Sequence, residues 1–374
     1  MRILFVTRPI GRPWNEGSKN LAFGLANHLR GHEVHLLSAG GLGKLPGHIV
    51  VEKIFRAEPP TLEIPFMQKI KIFARLLKND GADVYHFFFK PNALNAIAMR
   101  LLLRLKPKKP VTVQTAVFTL ASGKSLKKNI FADHCIVLSR FMQRRLLAAG
   151  VKSVARIPPG IDLRKFRPAK SAPAKRRLGF ARRQVVLFAG TFQPGGGAEE
   201  LFLAAKKVIA ELPGTLFVFA CRQMSGTAAE KEIRERIKSE SRRLGGGNFV
   251  FLGIVDDMPL LYAAADVCVF APAAITSKFD YPLFVLEAMA CAKPVVVSDT
   301  APLGEIFSPA AGVKVKKGSS SALCSAIVSL LSDCGRAAAV GASARVFAEK
   351  NFGIEKCARK HEEFYKKILG NKSG

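Results

Sequence analysis

Residues 266–272 read Asp266-Val267-Cys268-Val269-Phe270-Ala271-Pro272, and residues 278–297 read Lys278-Phe279-Asp280-Tyr281-Pro282-Leu283-Phe284-Val285-Leu286-Glu287-Ala288-Met289-Ala290-Cys291-Ala292-Lys293-Pro294-Val295-Val296-Val297. Two short runs rich in β-branched residues, Val267–Phe270 and Pro294–Val297, flank an apolar stretch that follows Pro282 and has helical composition. Strand, helix, strand with uninterrupted apolar strands signals a parallel sheet covered by helices on both faces. Proline suits a first helical turn, which leaves the next amides free to hold an anion. Glu287 stands one turn further on, where a carboxylate can accept hydrogen bonds from sugar hydroxyls.

The same alternation runs outward in both directions. Ile3–Val6, Val34–Leu37, Val84–Phe89, Val111–Gln114 and Cys135–Leu138 read as strands, with a helix over Ser18–Leu29. The pattern restarts with Val185–Ala189, Leu216–Ala220 and Phe249–Leu252, followed by a helix over Met258–Ala265 capped by Asp256 or Asp257. The expected class is α/β, with two doubly wound Rossmann-like domains. The hinge falls between Ile157 and Arg183, at Pro158-Pro159-Gly160-Ile161-Asp162 and the basic stretch after it. The expected division is 1–165, 166–353 and a C-terminal helix in 354–374 that packs back on the first domain. Ligands in such sheets bind outside the carboxyl ends of the strands, so two facing domains imply an active-site cleft.

Composition narrows the chemistry. Of 374 residues 49% are apolar and 23% charged, which excludes disorder and coiled coil for the chain as a whole. The net charge of +30 is uneven: residues 1–183 hold 35 basic and 9 acidic side chains, and residues 184–374 hold 23 and 19. The first half therefore suits an anionic partner. Seven scattered cysteines without Cys-x-x-Cys spacing exclude a disulfide scaffold and a zinc site. The apolar run at the N-terminus stops at Arg8 and Pro9, too short for a signal peptide, and no stretch reaches membrane-span length. A reducing, cytoplasmic location is expected. The adjacent Asp256-Asp257 pair reads as a helix cap, and no metal is implied.

Phe66, Ile70, Phe73 and Leu77 share one helical face, expected to pack on the core, while Lys69, Arg75 and Lys78 stand away from it. Arg100, Arg104, Lys106, Lys108 and Lys109 form a second basic cluster, and Lys124, Lys127, Lys128, Arg140, Arg144 and Arg145 a third. Basic amphipathic surfaces attract anionic lipid, so peripheral contact with the inner face of a membrane is expected. Nucleic acid is not an expected partner: there is one Trp, there are four Tyr, and most of the 27 Phe fall in apolar runs.

Taken in order, several segments resemble the retaining GT-B-fold glycosyltransferases of family 4, the glycosyl transferases group 1. They are the N-terminal strand–glycine loop–helix, Pro159-Gly160-Ile161-Asp162 with Phe166, Phe251-Leu252-Gly253, Tyr262-Ala263-Ala264-Ala265-Asp266, Leu286 to Val296, and Gly304-Glu305-Ile306. The resemblance implies a nucleotide-sugar donor as substrate, no cofactor, and a glycan or lipid-linked acceptor held by the first domain. It places Glu287 on the donor ribose and the Leu283 and Phe284 amides on the diphosphate, with Gly190, Gly253 and Ile254 completing the donor set. Where the family carries Arg and Lys on the diphosphate, this chain has Thr191 and Gly196, and Lys278 and Arg222 are the candidates to compensate. Phe279 replaces a glutamate eight residues before Glu287, so Lys278 and Asp280 are expected to take up catalytic work. Gly11, Glu16 and Gly17 are expected to line the acceptor side, where the helix-capping role falls on Ser18 or Asn15 in the simpler reading. The family's histidine has no match in Gln114-Thr115-Ala116, which leaves His86 as its candidate substitute. The departures also allow a degenerate GT-B protein that binds a glycan or anionic membrane without turnover, or the same donor site with another reaction such as epimerisation.

Overall fold

A computed structural model describes residues 1–12, 14, 16–55, 66–89, 93–106, 109–117, 126–222, 227–275 and 279–370. Asn15, Lys108, Lys124 and Lys278 lie outside the described residues. The chain divides into two units: Met1–Gly160 with Thr276–Asp280 and Ile354–Gly374, and Ile161–Ile275 with Tyr281–Gly353. The division at Gly160 corrects the expected 165/166 boundary and leaves Asp162 and Phe166 with the second unit, where Phe166 joins the core.

In the first unit the elements are β1 (Arg2–Ile10), α1 (Gly17–His28), β2 (Glu33–Ser38), β3 (Ile49–Lys53), α2 (Phe66–Leu77), β4 (Val84–Phe87), α3 (Ala93–Arg104), β5 (Val111–Ala116), β6 (His134–Val137), α4 (Arg140–Ala148) and β7 (Val154–Arg156). The strands form one parallel sheet in the order β3-β2-β1-β4-β5-β6-β7. Central strands are sealed on both faces, with Ile3, Leu4, Phe5, Val84, Tyr85 and Phe87 fully buried. The edge strands β3 and β7 were not visible as apolar runs because Glu52, Lys53 and Arg156 interrupt them.

Helix α2 lies the other way round from its apolar pattern. Ile72 and Leu76 pack on the sheet beside buried Arg75, while Phe66, Ile70 and Leu77 face outward. Charge decides the orientation. Arg75 pairs with Glu52 of β3, and its Nη1 donates to Asp80 at 2.6 Å. His35 lies 2.7 Å from both Glu33 and Glu52, and Tyr85 donates to Asp80 at 2.8 Å. Lys106, expected in a surface cluster, is also buried, and donates to the Tyr85 hydroxyl and to the Leu76 carbonyl. A buried guanidinium without such partners would be far costlier than an exposed phenyl ring.

The second unit comprises α5 (Ser171–Arg177), β8 (Gln184–Gly190), α6 (Ala198–Glu211), β9 (Thr215–Cys221), α7 (Ala228–Arg243), β10 (Phe249–Leu252), α8 (Met258–Ala264), β11 (Val267–Phe270), α9 (Leu283–Ala290), β12 (Val295–Ser298), β13 (Val313–Val315), α10 (Ser320–Ser332) and α11 (Cys334–Phe352). Its parallel sheet runs β10-β9-β8-β11-β12-β13. Asp257 caps α8 by accepting from Leu260 N at 3.1 Å. The final helix, α12 (Ile354–Gly370), belongs to the first unit, where Ile354, Cys357, Tyr365 and Ile368 join the same core as α1. Among the described residues no single helix is long and apolar enough to cross a membrane.

Helix α9 ends with Ala292 in the left-handed region, at φ 54°. Lys293 N donates to Ala288 O at 2.9 Å and Ala292 N to Met289 O at 3.0 Å, which satisfies the last carbonyls. The Ala292 carbonyl rests on Gly341 of α11, where an added Cβ would stand 2.3 Å from the oxygen.

Candidate functional site

Both sheets reverse their winding beside their first strand, and in the second unit that switch point lies between β8 and β11. Chain order alone therefore brings the ends of β8, β9, β10 and β11 to one edge, which is where doubly wound sheets bind ligands. Gly190 ends β8 and Thr191 follows it, buried. Gly197, at φ 101°, caps α6 and presses so close to Ala271 and Pro272 that a Cβ would stand 3.2 Å from the Pro272 nitrogen. Gly196 N donates to Gln193 O at 2.9 Å, closing the glycine turn. Arg222 follows β9 and its amide donates to Gly190 O at 3.2 Å. Gly253 and Ile254 follow β10 and are exposed.

Pro282 caps α9, and the helical ladder begins with Val285 N donating to Pro282 O at 3.0 Å. The Leu283 and Phe284 amides stand ahead of that ladder, at the end where the helix dipole favours an anion. Glu287 lies one turn along. Its Oε2 accepts from the Tyr262 hydroxyl at 2.8 Å, and Tyr262 is fully buried on α8. Burial pushes the Glu287 carboxyl up to about 7, against the Tyr262 hydrogen bond and the Lys165 charge, which pull it down. Tyr262 itself is raised well above the ordinary phenol value, first by burial and then by the neighbouring Glu287 charge. The arrangement is a carboxylate with one oxygen held and the other oxygen left to accept from a ligand.

Tyr262 and Lys165 went unassigned in the sequence. The trace that points to Tyr262 is one hydroxyl within an otherwise apolar Leu260-Leu261-Tyr262-Ala263-Ala264, a position that needs a partner once buried.

The remaining candidates separate. Asp280, expected to take up catalytic work, belongs to the first unit and is fully buried, with its amide donating to Val117 O at 2.9 Å. Phe279 packs on Gly17, where a Cβ would stand 2.9 Å from the ring. Glu16, rather than Ser18 or Asn15, caps α1: it accepts from Ser18 N at 3.2 Å, Lys19 N at 3.0 Å and Ser18 Oγ at 2.6 Å. That corrects its expected place as a lining group, because its carboxylate is buried and engaged. Gly11 keeps open space beside it, with Gly40 O at 3.9 Å from an added Cβ. The Thr7 hydroxyl, buried in β1, finds no partner among the described residues.

The expected site role of His86 is overturned. Its ring is fully buried in β4, with Nδ1 2.6 Å from the Tyr365 hydroxyl and Nε2 2.5 Å from Thr115 Oγ1. Phe88 stacks on it at 4.0 Å, and His361 of α12 lies 5.8 Å away. Burial holds His86 well below the ordinary imidazole value and His361 down to about 4. Because the folded values lie below 6.5, the stability they contribute is complete above that pH and is lost as pH falls toward 4. The His361 shift alone predicts a loss of about 2 kcal/mol between pH 7 and 5. Denaturant unfolding at the two pH values checks it, and a His361→Phe variant should show a smaller difference.

Comparison with known proteins agrees with this fold. The family model described as Glycosyltransferase Family 4 matches residues 17–165, and that described as Glycosyl transferases group 1 matches residues 183–333. A GDP-mannose-dependent monoacylated alpha-(1-6)-phosphatidylinositol monomannoside mannosyltransferase of Corynebacterium glutamicum is 28% identical over 247 residues, covering 63% of this chain and 62% of that protein. A D-inositol 3-phosphate glycosyltransferase of Rhodococcus jostii is 31% identical over 219 residues, covering 58% and 47%. The matched region is thus less than two thirds of either relative's length. Among solved structures, Anabaena HepE in complex with UDP-glucose superposes with a TM-score of 0.78 at 19% identity, over 98% of this chain and 100% of that one. The sucrose-phosphate synthase of Thermosynechococcus elongatus gives 0.78 at 19% identity over 99% of each. These two likenesses show a GT-B fold. With one family model matched in each unit and the fold in common, the chain belongs to the group 1, family 4 glycosyl transferases.

Proposed function

We propose that this protein moves a sugar from a nucleotide-sugar donor to a glycan or lipid-linked acceptor, with retention at the anomeric carbon. The observation that carries the reading is Glu287, a half-buried carboxylate fixed by Tyr262 beside the open N-terminal turn of α9. One Glu287 oxygen accepts from the donor ribose, and the Leu283 and Phe284 amides face the diphosphate. As the anomeric C–O bond breaks, charge grows on the departing diphosphate, and donors fixed in advance stabilise it most effectively there. The acceptor hydroxyl oxygen forms the new bond, and its proton leaves with the nucleoside diphosphate. No metal or cofactor takes part, and the enzyme works in the cytoplasm at the inner face of the membrane. The names of relatives support the donor class: one is GDP-mannose-dependent, and HepE is seen with UDP-glucose.

Thr191 and Gly196 stand where the family's two cations are expected, which favours a second reading: a degenerate GT-B protein that binds a glycan or an anionic membrane surface without turnover. One experiment separates the two. Thermal unfolding is followed with uridine, guanosine and adenosine diphosphates and their sugar conjugates, and released nucleoside diphosphate is measured alongside. A ligand at 100 times its Kd adds about 2.7 kcal/mol of stability. A nucleotide that stabilises the protein and loses its shift in Glu287→Ala upholds the donor site, and release of nucleoside diphosphate upholds turnover; no stabilisation at millimolar ligand overturns the transferase reading and favours the non-catalytic one.

A further inference from the structure

We propose that α2 and α3 form a docking face for an anionic phospholipid bilayer, with an apolar stripe that enters the lipid interface and a fringe of cations on the headgroups. The two helices pack side by side over one face of the first unit's sheet, so their outer sides form one surface. On α2 that surface carries Phe66 (74% exposed), Met67, Ile70 and Leu77. On and just after α3 it carries Ile97, Leu101 and Leu105 (74% exposed). The spacing 66/70/77 and 97/101/105 puts each set along one helical stripe. Single exposed leucines need no explanation, but a contiguous stripe across two neighbouring helices marks a surface that meets something apolar.

The charge on the same face selects the partner. Lys69, Lys71, Lys78 and Arg104 are exposed among these side chains, and residues 66–78 and 93–106 contain no Asp or Glu. Arg100 extends the face by donating to Ile130 O at 2.5 Å, which brings the exposed Lys127 and Lys128 alongside α3. The acids that α2 itself contacts, Glu52 and Asp80, point inward to Arg75, and Asp80 also to Lys106. A second copy of the chain would present the same positive charge and be repelled. An anionic bilayer satisfies both halves of the surface, since each cation near it contributes on the order of 1 kcal/mol and apolar side chains reach the acyl boundary. The stripe is also locked outward: α2 cannot roll to bury Phe66 and Ile70 without tearing Arg75 from Glu52 and Asp80.

This inference does not depend on sugar transfer, and its readout is binding. The full chain is sedimented with vesicles of phosphatidylcholine alone and with about one third phosphatidylglycerol, at low and high salt. The expected result is binding to the acidic vesicles only, weakened by salt. The double variant Ile70→Gln/Leu101→Gln and the triple variant Lys69→Glu/Lys71→Glu/Lys78→Glu should each bind at least tenfold more weakly, with unfolding midpoints unchanged because all five sites are exposed. Equal binding to neutral vesicles, no binding to acidic ones at low salt, or an apolar double variant that binds as the parent overturns the proposal. So does a dimer in the absence of lipid that the apolar double variant dissolves.

Discussion

Glu287→Gln should stabilise the unliganded protein at pH 8 by about 3 kcal/mol and sharply weaken its hold on a nucleoside diphosphate. The first effect follows from burial. A carboxyl that titrates near 7 when folded, against an ordinary value of 4.5, costs nothing while protonated in both states. As pH rises through 4.5 the unfolded chain releases its proton first, so stability falls, and the full penalty is in place above 7. The amide removes the charge and still accepts from Tyr262. The second effect follows from the lost charge: a hydrogen bond to a carboxylate contributes about 1.5–3 kcal/mol, so losing one ribose bond corresponds to roughly a tenfold to hundredfold loss of affinity. Thermal melts from pH 4.5 to 8 and calorimetric titration of the stabilising nucleotide check both. A variant no more stable than the parent at pH 8 would mean that water reaches the carboxylate; an unchanged affinity would remove Glu287 from the donor site.

Gly341→Ala should destabilise the second unit by at least about 3 kcal/mol, although helix propensity alone predicts a gain of about 1 kcal/mol. Gly341 lies inside α11, where alanine is normally the better residue. Here the added methyl would stand 2.3 Å from the Ala292 carbonyl oxygen, a backbone atom at the end of α9 that no rotamer change can move. Either α11 separates from α9 or α9 shifts along its axis, and α9 carries Leu283, Phe284 and Glu287. Loss of donor affinity should therefore accompany the loss of stability. Ala292→Gly is the control: it relieves a left-handed alanine at φ 54° and should stabilise by about 1 kcal/mol. A Gly341→Ala protein as stable as the parent would show that the two helices have room to part.

The doubly wound architecture was legible because buried parallel strands leave uninterrupted β-branched runs; Phe249–Leu252 and Val267–Phe270 were read to the residue. The sheet edge proposed to take the donor was legible for the same reason, since strand ends locate the loops that carry Gly190, Arg222, Gly253 and Pro282. What escaped were pairings between residues distant in sequence. The outward stripe of α2 looks like a core face until Glu52 and Asp80 are found around Arg75. His86 looks like a site residue until Tyr365, 279 positions later, closes over it.

That division has a consequence for how the chain is made. The second unit is nearly continuous, from Ile161 to Gly353, and is complete once those residues have emerged. The first unit begins synthesis earlier but finishes later, because its core takes Ile354, Cys357, Ala358, Tyr365 and Ile368 from α12. Until then that core lacks those five side chains, and His86 lacks the Tyr365 hydroxyl. The half of the molecule translated first is therefore the half that matures last, and a chain halted at residue 353 would hold a finished second unit beside an open, apolar-faced first one, a natural client for a chaperone.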